Sequence, residues 1–235
     1  MEILGVRVDL IRSQEIPSII DGFFRNGKQN MIATPNAEML VHAHQHPEFR
    51  ALLNSADINV CDSMGVLLAS WFFGNPIPER ITGTDLVPML CQAAVTQGKR
   101  VYFVGGLAGS AESAAKKMQQ QFLGLDTAFD GTWEINATTV DRINAAAPAI
   151  LIVAFGHGKQ EQWIREYISQ MPSIKIAIGV GGALEYHAGT IARAPRFLRR
   201  IGFEWLWRLL REPKRFSRIL TAVFVFPFLV LTKKV

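Results

Sequence analysis

Residues 148–161 read PAILIVAFGHGKQE, an apolar run of strand length that ends in a glycine-rich turn and leads into polar residues. Similar runs recur along the chain as NMIATPN from residue 30, DINVCDS from 57, KRVYFVGG from 99 and SIKIAIGVGG from 173. Their side chains are nearly all apolar rather than alternating, which is typical of parallel strands covered on both faces. Helix-like stretches separate the runs, so the sequence predicts a doubly wound, mostly parallel α/β sheet.

The stretches between these runs carry polar residues of the kind that cap helices. Asn36, Thr84 and Ser110 are the predicted N-caps of three helices, and another helix is predicted around residues 137 to 146. A weaker strand is predicted at LDTAFDG, from residue 125. The first 26 residues predict a short strand and a helix that begins near Ser13.

Composition limits the class of protein. Hydrophobic residues make up 49% of the 235-residue chain, enough for one sizeable core, so extensive disorder is not expected. Cys61 and Cys91 each lie in an apolar run, which favours buried thiols in a reducing compartment over a disulfide or a metal site. The first residues, MEILGVRVDLIRSQ, lack the pattern of a signal peptide. The expected location is therefore the cytoplasm.

Charge divides the chain into two regions. Residues 190 to 235 hold eleven Lys/Arg and two Glu, a net charge of +9, whereas the rest holds fourteen basic and eighteen acidic residues, a net charge of −4. The pattern changes at this point too, from strands and helices to arginines interleaved with aromatic and aliphatic residues. We therefore divide the chain into a body, residues 1–190, and a C-terminal segment, residues 191–235.

The C-terminal segment has the features of a membrane-docking appendage. Its arginines at 208, 211, 215 and 218 recur at helical spacing, and with Arg193 they are the predicted contacts to a lipid diphosphate and an anionic membrane surface. The apolar run 219–231 is thirteen residues long and contains a proline, whereas a spanning helix needs roughly 20 apolar residues. An interfacial or shallowly inserted helix is therefore expected.

In open parallel sheets, ligands bind beyond the carboxyl ends of the strands. Asp62 follows one apolar run directly, where a carboxylate is partly desolvated yet open to the crevice, as a general base requires. An N-cap for the next helix is an equally good interpretation of this residue. Thr34 and Asn36 follow another run and are candidates to bind a sugar or nucleotide, although a turn and an N-cap explain them as well.

Further candidates lie in turns near the other strand ends. The pairs Gly105-Gly106 and Gly181-Gly182 permit close backbone approach to a phosphate or a base. Arg80 is placed to clamp a diphosphate, with a surface salt bridge as the alternative. The last candidates, at the start of a helix, suit recognition of a sugar or uracil, or are ordinary first-turn residues: Lys159, Gln160 and Glu161.

The sequence also argues against two common kinds of cofactor. GGLAGSA lacks the G-x-G-x-x-G order of a dinucleotide fingerprint, and no suitably placed acidic residue follows it. No D-x-D pair and no H-E-x-x-H arrangement occurs, so no catalytic metal is expected.

Several ordered stretches resemble one known family, the WecG/TagA/CpsF glycosyltransferases, and together they cover most of the chain. They are TPNAEML (34–40), ADINVCDSMGV (56–66), ERITGTDL (79–86), VYFVGG (101–106), GKQEQWI (158–164), IGVGGALEYHAGTIARAP (178–195) and FEWLWRLLREPKRFSR (203–218).

This resemblance implies a Rossmann-like fold and an inverting, metal-independent transferase that uses no cofactor. It would move a sugar from a UDP-sugar to a polyprenyl-diphosphate-linked sugar, in teichoic acid, common antigen or exopolysaccharide assembly. It implies that Asp62 is the base, that Thr34 lies close to it, and that Arg80 and Gln160 contribute to the substrate site. The C-terminal appendage would help to complete the site at the cytoplasmic face of the membrane, where the protein would be peripheral.

Two departures from the family pattern bear on loop shape and donor selectivity. Ser63 stands where a glycine commonly follows the catalytic aspartate, and Gly158 stands where proline is usual. The identity of the sugar and the formation of a homo-oligomer both stay open.

Two other classes of function are compatible with parts of the sequence. One is a non-catalytic nucleotide-binding module that the C-terminal segment anchors to a membrane. The other is a nucleic-acid-binding protein, suggested by the +9 segment. The apolar run 219–231 disfavours the second, because a solvated arm would not carry it, and no nucleic acid partner is expected.

Overall fold

The computed structural model describes residues 1–131, 136–195, 197–198, 202–211, 213 and 216–232. The strands of this part are β1 (Glu2–Ile3), β2 (Val6–Arg7), β3 (Asn30–Ala33), β4 (Ile58–Asn59), β5 (Arg100–Gly105), β6 (Asp126–Asp130), β7 (Ile150–Ala154) and β8 (Ile176–Gly179). Its α-helices are α1 (Ile16–Arg25), α2 (Ala37–Gln45), α3 (Pro47–Asn54), α4 (Met64–Phe72), α5 (Gly83–Gln97), α6 (Ser110–Gln121), α7 (Ala137–Ala146), α8 (Lys159–Tyr167), α9 (Ala183–Ala188), α10 (Glu204–Arg211), α11 (Phe216–Leu220) and α12 (Phe226–Thr232).

Six strands form one parallel sheet, in the order β4-β3-β8-β7-β5-β6. The five apolar runs and the weaker run at 125 all lie in this sheet, so the predicted parallel α/β architecture is confirmed. The N-terminal region differs from its prediction, because β1 and β2 pair as a separate antiparallel hairpin instead of a single strand. A 3₁₀ turn at Ser13–Glu15 then leads into α1, as expected.

Helices cover both faces of the sheet. Alternate residues of each strand point to opposite faces, so β3, β5, β7 and β8 contribute apolar side chains to both helical layers. On one face, Ile32, Phe103, Ile152 and Ile178 are buried in a cluster with side chains of α1, α5, α6 and α9. On the other face, Ala33, Val104 and Val153 join a second cluster with α2, α3, α8 and the C-terminal helices. Burial on both faces accounts for the near-continuous apolar character of the strands.

Two predicted N-caps are wrong by one or two residues. The helix expected after Thr84 begins at Gly83, because the Thr82 side chain accepts the Asp85 amide while the Asp85 carboxylate accepts the Thr82 amide, each at 3.2 Å. Ser110 is the first residue of α6, and Gly109 precedes it as the cap. Asn36 is confirmed as the cap of α2, since its side chain accepts the Met39 amide.

The C-terminal segment ends in a helical stretch, Phe216–Thr232, which packs on α2 and α4. A π-helical turn at Thr221–Val225 interrupts it shortly before Pro227, whose ring lacks the N–H that a regular helix uses. Phe226 and Val230 are buried in the core cluster, whereas Phe224, Phe228 and Leu231 are exposed. The stretch is therefore a two-sided helix that joins the body's core along one face.

Among the residues that the structure describes, no helix has the length and apolar character needed to cross a membrane.

Candidate active site

A cavity of about 630 Å³ lies beyond the carboxyl ends of β3, β7 and β8. The body supplies most of its wall, and ten described residues of the C-terminal segment, among them Glu204 and Arg218, complete it. Seven of the residues singled out in the body line this cavity: Thr34, Asn36, Asp62, Arg80, Gln160, Gly181 and Gly182. The strand ends thus meet as the parallel topology requires.

Asp62 lies half-buried on the cavity wall, in the loop between β4 and α4, with its backbone N–H donating to Pro35 O. The cap of α4 is the neighbouring residue, Ser63, whose hydroxyl oxygen accepts the Val66 amide at 3.2 Å. The same oxygen accepts the Ala37 amide, which ties the starts of α2 and α4 together. The serine at this position therefore has a structural use, and the N-cap of α4 is Ser63 rather than Asp62.

Cys61, directly before Asp62, does not offer a competing base or nucleophile. Burial raises the pKa of its thiol to about 12, although a hydrogen bond to the Ser63 backbone opposes the rise. Cys91 is also buried and free, and burial raises its pKa to about 12. Both thiols are protonated at neutral pH, as expected for inert core cysteines.

Thr34 and Asn36 flank Pro35 at the end of β3 and face the cavity. Thr34 is buried, and its hydroxyl makes no hydrogen bond within the described part of the chain. Asn36 uses its side-chain oxygen to cap α2. Its cap role is therefore real, and only its amide nitrogen is left to bind a ligand.

The three candidate residues in the first turn of α8 lie in three different environments. Gln160 reaches the cavity, but its oxygen accepts the Gly181 amide at 2.9 Å and its nitrogen donates to Glu161 at 2.8 Å. Glu161 is fully buried, and burial raises its pKa despite hydrogen bonds from Gln160 and from the Gly158 amide. Lys159 does not line the main cavity; it lines a small surface cleft beside Trp163. Glu161 and Lys159 are therefore not brought to the site.

Gly158 adopts φ +81°, which proline is unable to reach, and its N–H donates to Glu161 at 2.6 Å, which proline lacks. The GHGKQE turn of this chain accordingly has a shape that the family's usual proline does not permit.

The two glycine pairs also differ. Gly181 and Gly182 line the cavity, where α9 begins. Gly105 and Gly106 do not line it; a Cβ on Gly105 would lie 2.8 Å from Phe155, and one on Gly106 would lie 2.9 Å from Ser110. These two glycines permit close packing of the chain behind the cavity, and the residue that reaches the cavity from this turn is Leu107.

Arg80 lies on the cavity wall and is engaged by the C-terminal segment. Both of its terminal nitrogens donate to Glu204 Oε2 at 3.2 Å. Arg193 approaches the other oxygen of Glu204 at 3.7 Å and also donates to Asp85 at 2.9 Å. Burial alone would raise the pKa of Asp85, but hydrogen bonds from Arg193 and Thr82 outweigh it and lower the pKa.

The arginine side chains that the structure describes in the C-terminal segment do not share one outward-facing row. Arg218 lines the cavity, where it donates to Glu38 and to His157. Arg211 lies over the Trp207 ring, 4.9 Å from its centroid, and does not line the cavity. The side chain of Arg208 and the whole of Arg215 lie outside the described residues. Arg193 and Arg218, assigned above to membrane contact, are instead paired with acidic groups of the protein.

Three cavity residues were missed from the sequence. Glu38 and His157 contact Arg218. One carboxylate oxygen of Glu185 accepts a hydrogen bond from the Leu107 amide at 2.9 Å. The other Glu185 oxygen is buried without a hydrogen-bond partner in the described part of the chain. A signal for Glu38 and Glu185 existed, because both lie inside stretches that resemble the family. His157 lies in the polar, glycine-rich turn directly after an apolar run, which was a signal, but it was not chosen as a candidate.

No group of three or more His, Cys, Asp or Glu residues placed to hold a metal ion occurs among the described residues.

Comparisons with known proteins find one family and several similar proteins. The model of the Glycosyl transferase WecG/TagA/CpsF family matches residues 1–235. One similar protein is the N-acetylglucosaminyldiphosphoundecaprenol N-acetyl-beta-D-mannosaminyltransferase of Bacillus spizizenii, 33% identical over 201 residues, which are 85% of this chain and 78% of that protein. A protein of the same name from Staphylococcus aureus is 33% identical over 223 residues, 93% of this chain and 87% of its own.

The fold and these relatives define an enzyme, a glycosyltransferase. More specifically, the chain belongs to the WecG/TagA/CpsF family, so the family resemblance is confirmed.

Proposed function

We propose that this enzyme is an inverting transferase that moves an N-acetylhexosamine-type sugar from a UDP-sugar to a polyprenyl-diphosphate-linked sugar in cell-surface polysaccharide assembly. The names of the relatives support the acceptor class, since they specify N-acetylglucosaminyldiphosphoundecaprenol. The same names support an N-acetylated amino sugar as the transferred group.

The observation that carries the proposal is the place of Asp62, which lines the cavity while Ser63 caps α4. Asp62 takes the proton of the acceptor hydroxyl as the hydroxyl oxygen attacks the anomeric carbon. The bond between that carbon and the UDP oxygen breaks, and UDP leaves with the electron pair. Attack from the face opposite UDP inverts the anomeric configuration, and the proton on Asp62 is later lost to water.

The negative charge that develops on UDP needs positive partners, and Arg80 and Arg218 line the same cavity. Arg80 is held by Glu204, so the diphosphate would share or displace this carboxylate. Arg218 uses Nε and one terminal nitrogen in its contacts with Glu38 and His157, which leaves the other terminal nitrogen for an oxygen of the diphosphate.

The same site would take its lipid acceptor from the cytoplasmic face of a membrane, to which the protein would bind peripherally. Large apolar side chains are exposed on α4, including Trp71 at 66% and Phe72 at 61%, and on the adjoining C-terminal helices, including Phe224 and Phe228. Leu68 belongs to this exposed surface and also lines the cavity. The apolar surface therefore borders the entrance that a lipid-linked sugar would use.

The test is a transfer assay with a panel of UDP-sugars and a short-chain lipid-diphosphate N-acetylglucosamine acceptor. Asp62→Asn should reduce transfer by roughly 10²- to 10⁴-fold while UDP binding, followed by calorimetry, is retained. Ser63→Ala is the matched control, because it removes the helix cap and keeps the carboxylate; it should cost about 1 kcal/mol of stability and little turnover. Near-wild-type transfer by a folded Asp62→Asn protein would overturn the role of Asp62. UDP binding with no transfer from any donor would instead favour a binding module.

A further inference from the structure

Three side chains from three separate parts of the chain meet at one edge of the cavity. Arg218 of α11 donates from Nε to both oxygens of Glu38 on α2, at 2.8 and 2.9 Å. Its Nη2 lies 2.8 Å from Nδ1 of His157, in the loop between β7 and α8. His157 Nε2 lies 3.2 Å from Glu38 Oε1, which closes the triangle.

The chemistry of these groups determines where the imidazole proton lies. A guanidinium has only donors and stays charged at all accessible pH values, so His157 Nδ1 must be the acceptor of its hydrogen bond. The single imidazole proton is then on Nε2 and is donated to Glu38. This arrangement requires a neutral His157, because a proton on Nδ1 would place two donors and two positive charges 2.8 Å apart.

We propose that His157 is a positioning residue that, together with Glu38, fixes Arg218 in the cavity while its imidazole is neutral and releases it when the imidazole is protonated. The inference rests on the proposed function only for its effect on transfer, since Arg218 is the cation offered to the diphosphate. Its structural part concerns how the C-terminal segment is attached to the body, and it stands independently of the substrate.

Two other titratable side chains near His157 have different surroundings. His42 of α2 lies with its ring centroid 6.5 Å from that of His157, and it stacks on Phe49 and meets His46 edge to face. Burial lowers the pKa of His42, with a further lowering from His46 and an opposing effect of Glu38. Lys159, two residues after His157, lies at a different cleft. Glu38 and Arg218 are charged groups in direct contact with the imidazole.

The sign of the pH effect follows from the acceptor role. Protonation of His157 at lower pH removes the acceptor of Arg218 and places a like charge beside it. Glu38 continues to attract both groups, so Arg218 shifts rather than departs from the protein. Transfer should therefore fall on the acidic side through a higher KM for the UDP-sugar, by about tenfold when one charge-assisted hydrogen bond is lost.

The experiment compares the pH profiles of wild type, His157→Gln, His157→Leu and His42→Gln in the full chain. Glutamine offers one acceptor and one donor without titrating, so His157→Gln should retain the attachment and lose the His157-dependent part of the acid limb. His157→Leu should show a raised KM at all pH values. His42→Gln is the matched control on the neighbouring imidazole and should keep the wild-type profile.

A second readout is independent of any sugar donor. Hydrogen–deuterium exchange of residues 216–232, corrected for the intrinsic pH dependence of exchange, should increase in wild type on going from pH 7.5 to about 5.5 and should not do so in His157→Gln. The inference is overturned if His157→Gln keeps the wild-type acid limb, if His42→Gln is the variant that loses it, or if exchange in this stretch does not depend on His157. Should the donor or acceptor class be wrong, transfer fails in every variant while the exchange experiment still decides.

Discussion

The body and the C-terminal segment both line one cavity, but different interactions stabilise the body and attach the segment to it. In the body, β5, β7 and β8 are covered on both faces, and their side chains are almost entirely buried. The C-terminal segment meets the body through ion pairs at Glu204 and Arg218 and through the buried face of Phe226 and Val230. Burial of apolar side chains stabilises the body. The C-terminal segment is attached to the body by ion pairs and by one apolar helix face.

This difference has a functional consequence, because the two kinds of attachment respond differently to a ligand. An arginine can exchange a carboxylate partner for a diphosphate oxygen, whereas uncovering a large buried apolar side chain costs about 1.5–3 kcal/mol. The part of the C-terminal segment that carries Glu204 and Arg218 can therefore rearrange around a diphosphate by exchanging partners. Asp62 lies in the loop after β4, where its backbone N–H donates to Pro35 O, and this suits a base that must keep its position.

Truncation of the chain before Arg208 should have the largest effect of the changes considered, and it tests the contribution of the C-terminal segment separately from that of the body. Such a protein loses Arg218 and the final helix, so transfer to a lipid-linked acceptor should fall by about 100-fold or more, as when a charge-stabilising group is removed. Body residues such as Thr34, Asp62 and Arg80 remain, so UDP binding by calorimetry should weaken by about tenfold, through loss of the Arg218 contact, but stay measurable. Full transfer by the truncated protein would show that the C-terminal segment plays no part in the site.

Improved solubility is not expected from this truncation, although the apolar run 219–231 alone suggested it. The Phe226 ring lies within 3.6 Å of the position that a Cβ on Gly65 would occupy, and both Phe226 and Val230 belong to the core cluster. Removing the helix uncovers the surfaces of α2 and α4 beneath it, so the truncated protein should aggregate more readily. Light scattering at matched concentration measures this directly.

A pair of substitutions on one helix sharpens the comparison further. Phe226 is 1% exposed and Phe228 is 64% exposed, two residues apart on opposite sides. Phe226→Ala should lower the free energy of unfolding by about 3–5 kcal/mol, because it leaves a cavity in the core. Phe228→Ala should change it by less than about 0.5 kcal/mol. Equal effects in urea unfolding would mean that the helix is not docked by its buried face.

Much of the body could be predicted from the sequence, because its signals are local. Continuous apolar runs predicted the strands, and the parallel topology placed Thr34, Asp62 and Gly181 at one edge of the sheet. Even the competition between capping and catalysis at Asp62 was visible. What was not visible is that Ser63 supplies the cap, since adjacent polar residues give the same pattern.

The C-terminal segment was less predictable because its contacts join residues far apart in the chain. Helical spacing placed arginines 208, 211, 215 and 218 on one side, but it contains no information about which partner that side meets. Arg218 pairs with a residue 180 positions earlier, and Arg80 with one 124 positions later. For the same reason Glu38 and His157 were not recognised as partners of Arg218.

Substitutions in the exposed apolar surface of α4 and the C-terminal helices should have a smaller but measurable effect on lipid binding. Replacing Trp71 and Phe72 with serine, or Phe224 and Phe228 with serine, should weaken binding to anionic phospholipid vesicles by about tenfold in each case. Leu123→Ser is the control, since Leu123 is exposed outside this surface. If only the C-terminal pair affects vesicle flotation, α4 does not contribute to docking and the body has no share in it.

Removal of divalent metal ions should have no effect on turnover. The sequence has no D-x-D pair, and the charge of the leaving UDP is assigned to one arginine from each region, Arg80 of the body and Arg218 of the C-terminal segment. EDTA should therefore leave the rate of transfer unchanged, and added Mg²⁺ should not raise it. Metal analysis of the treated protein serves as the control that chelation was complete. Loss of transfer in EDTA, restored by Mg²⁺ or Mn²⁺, would instead show that a metal ion carries the charge here assigned to the two arginines.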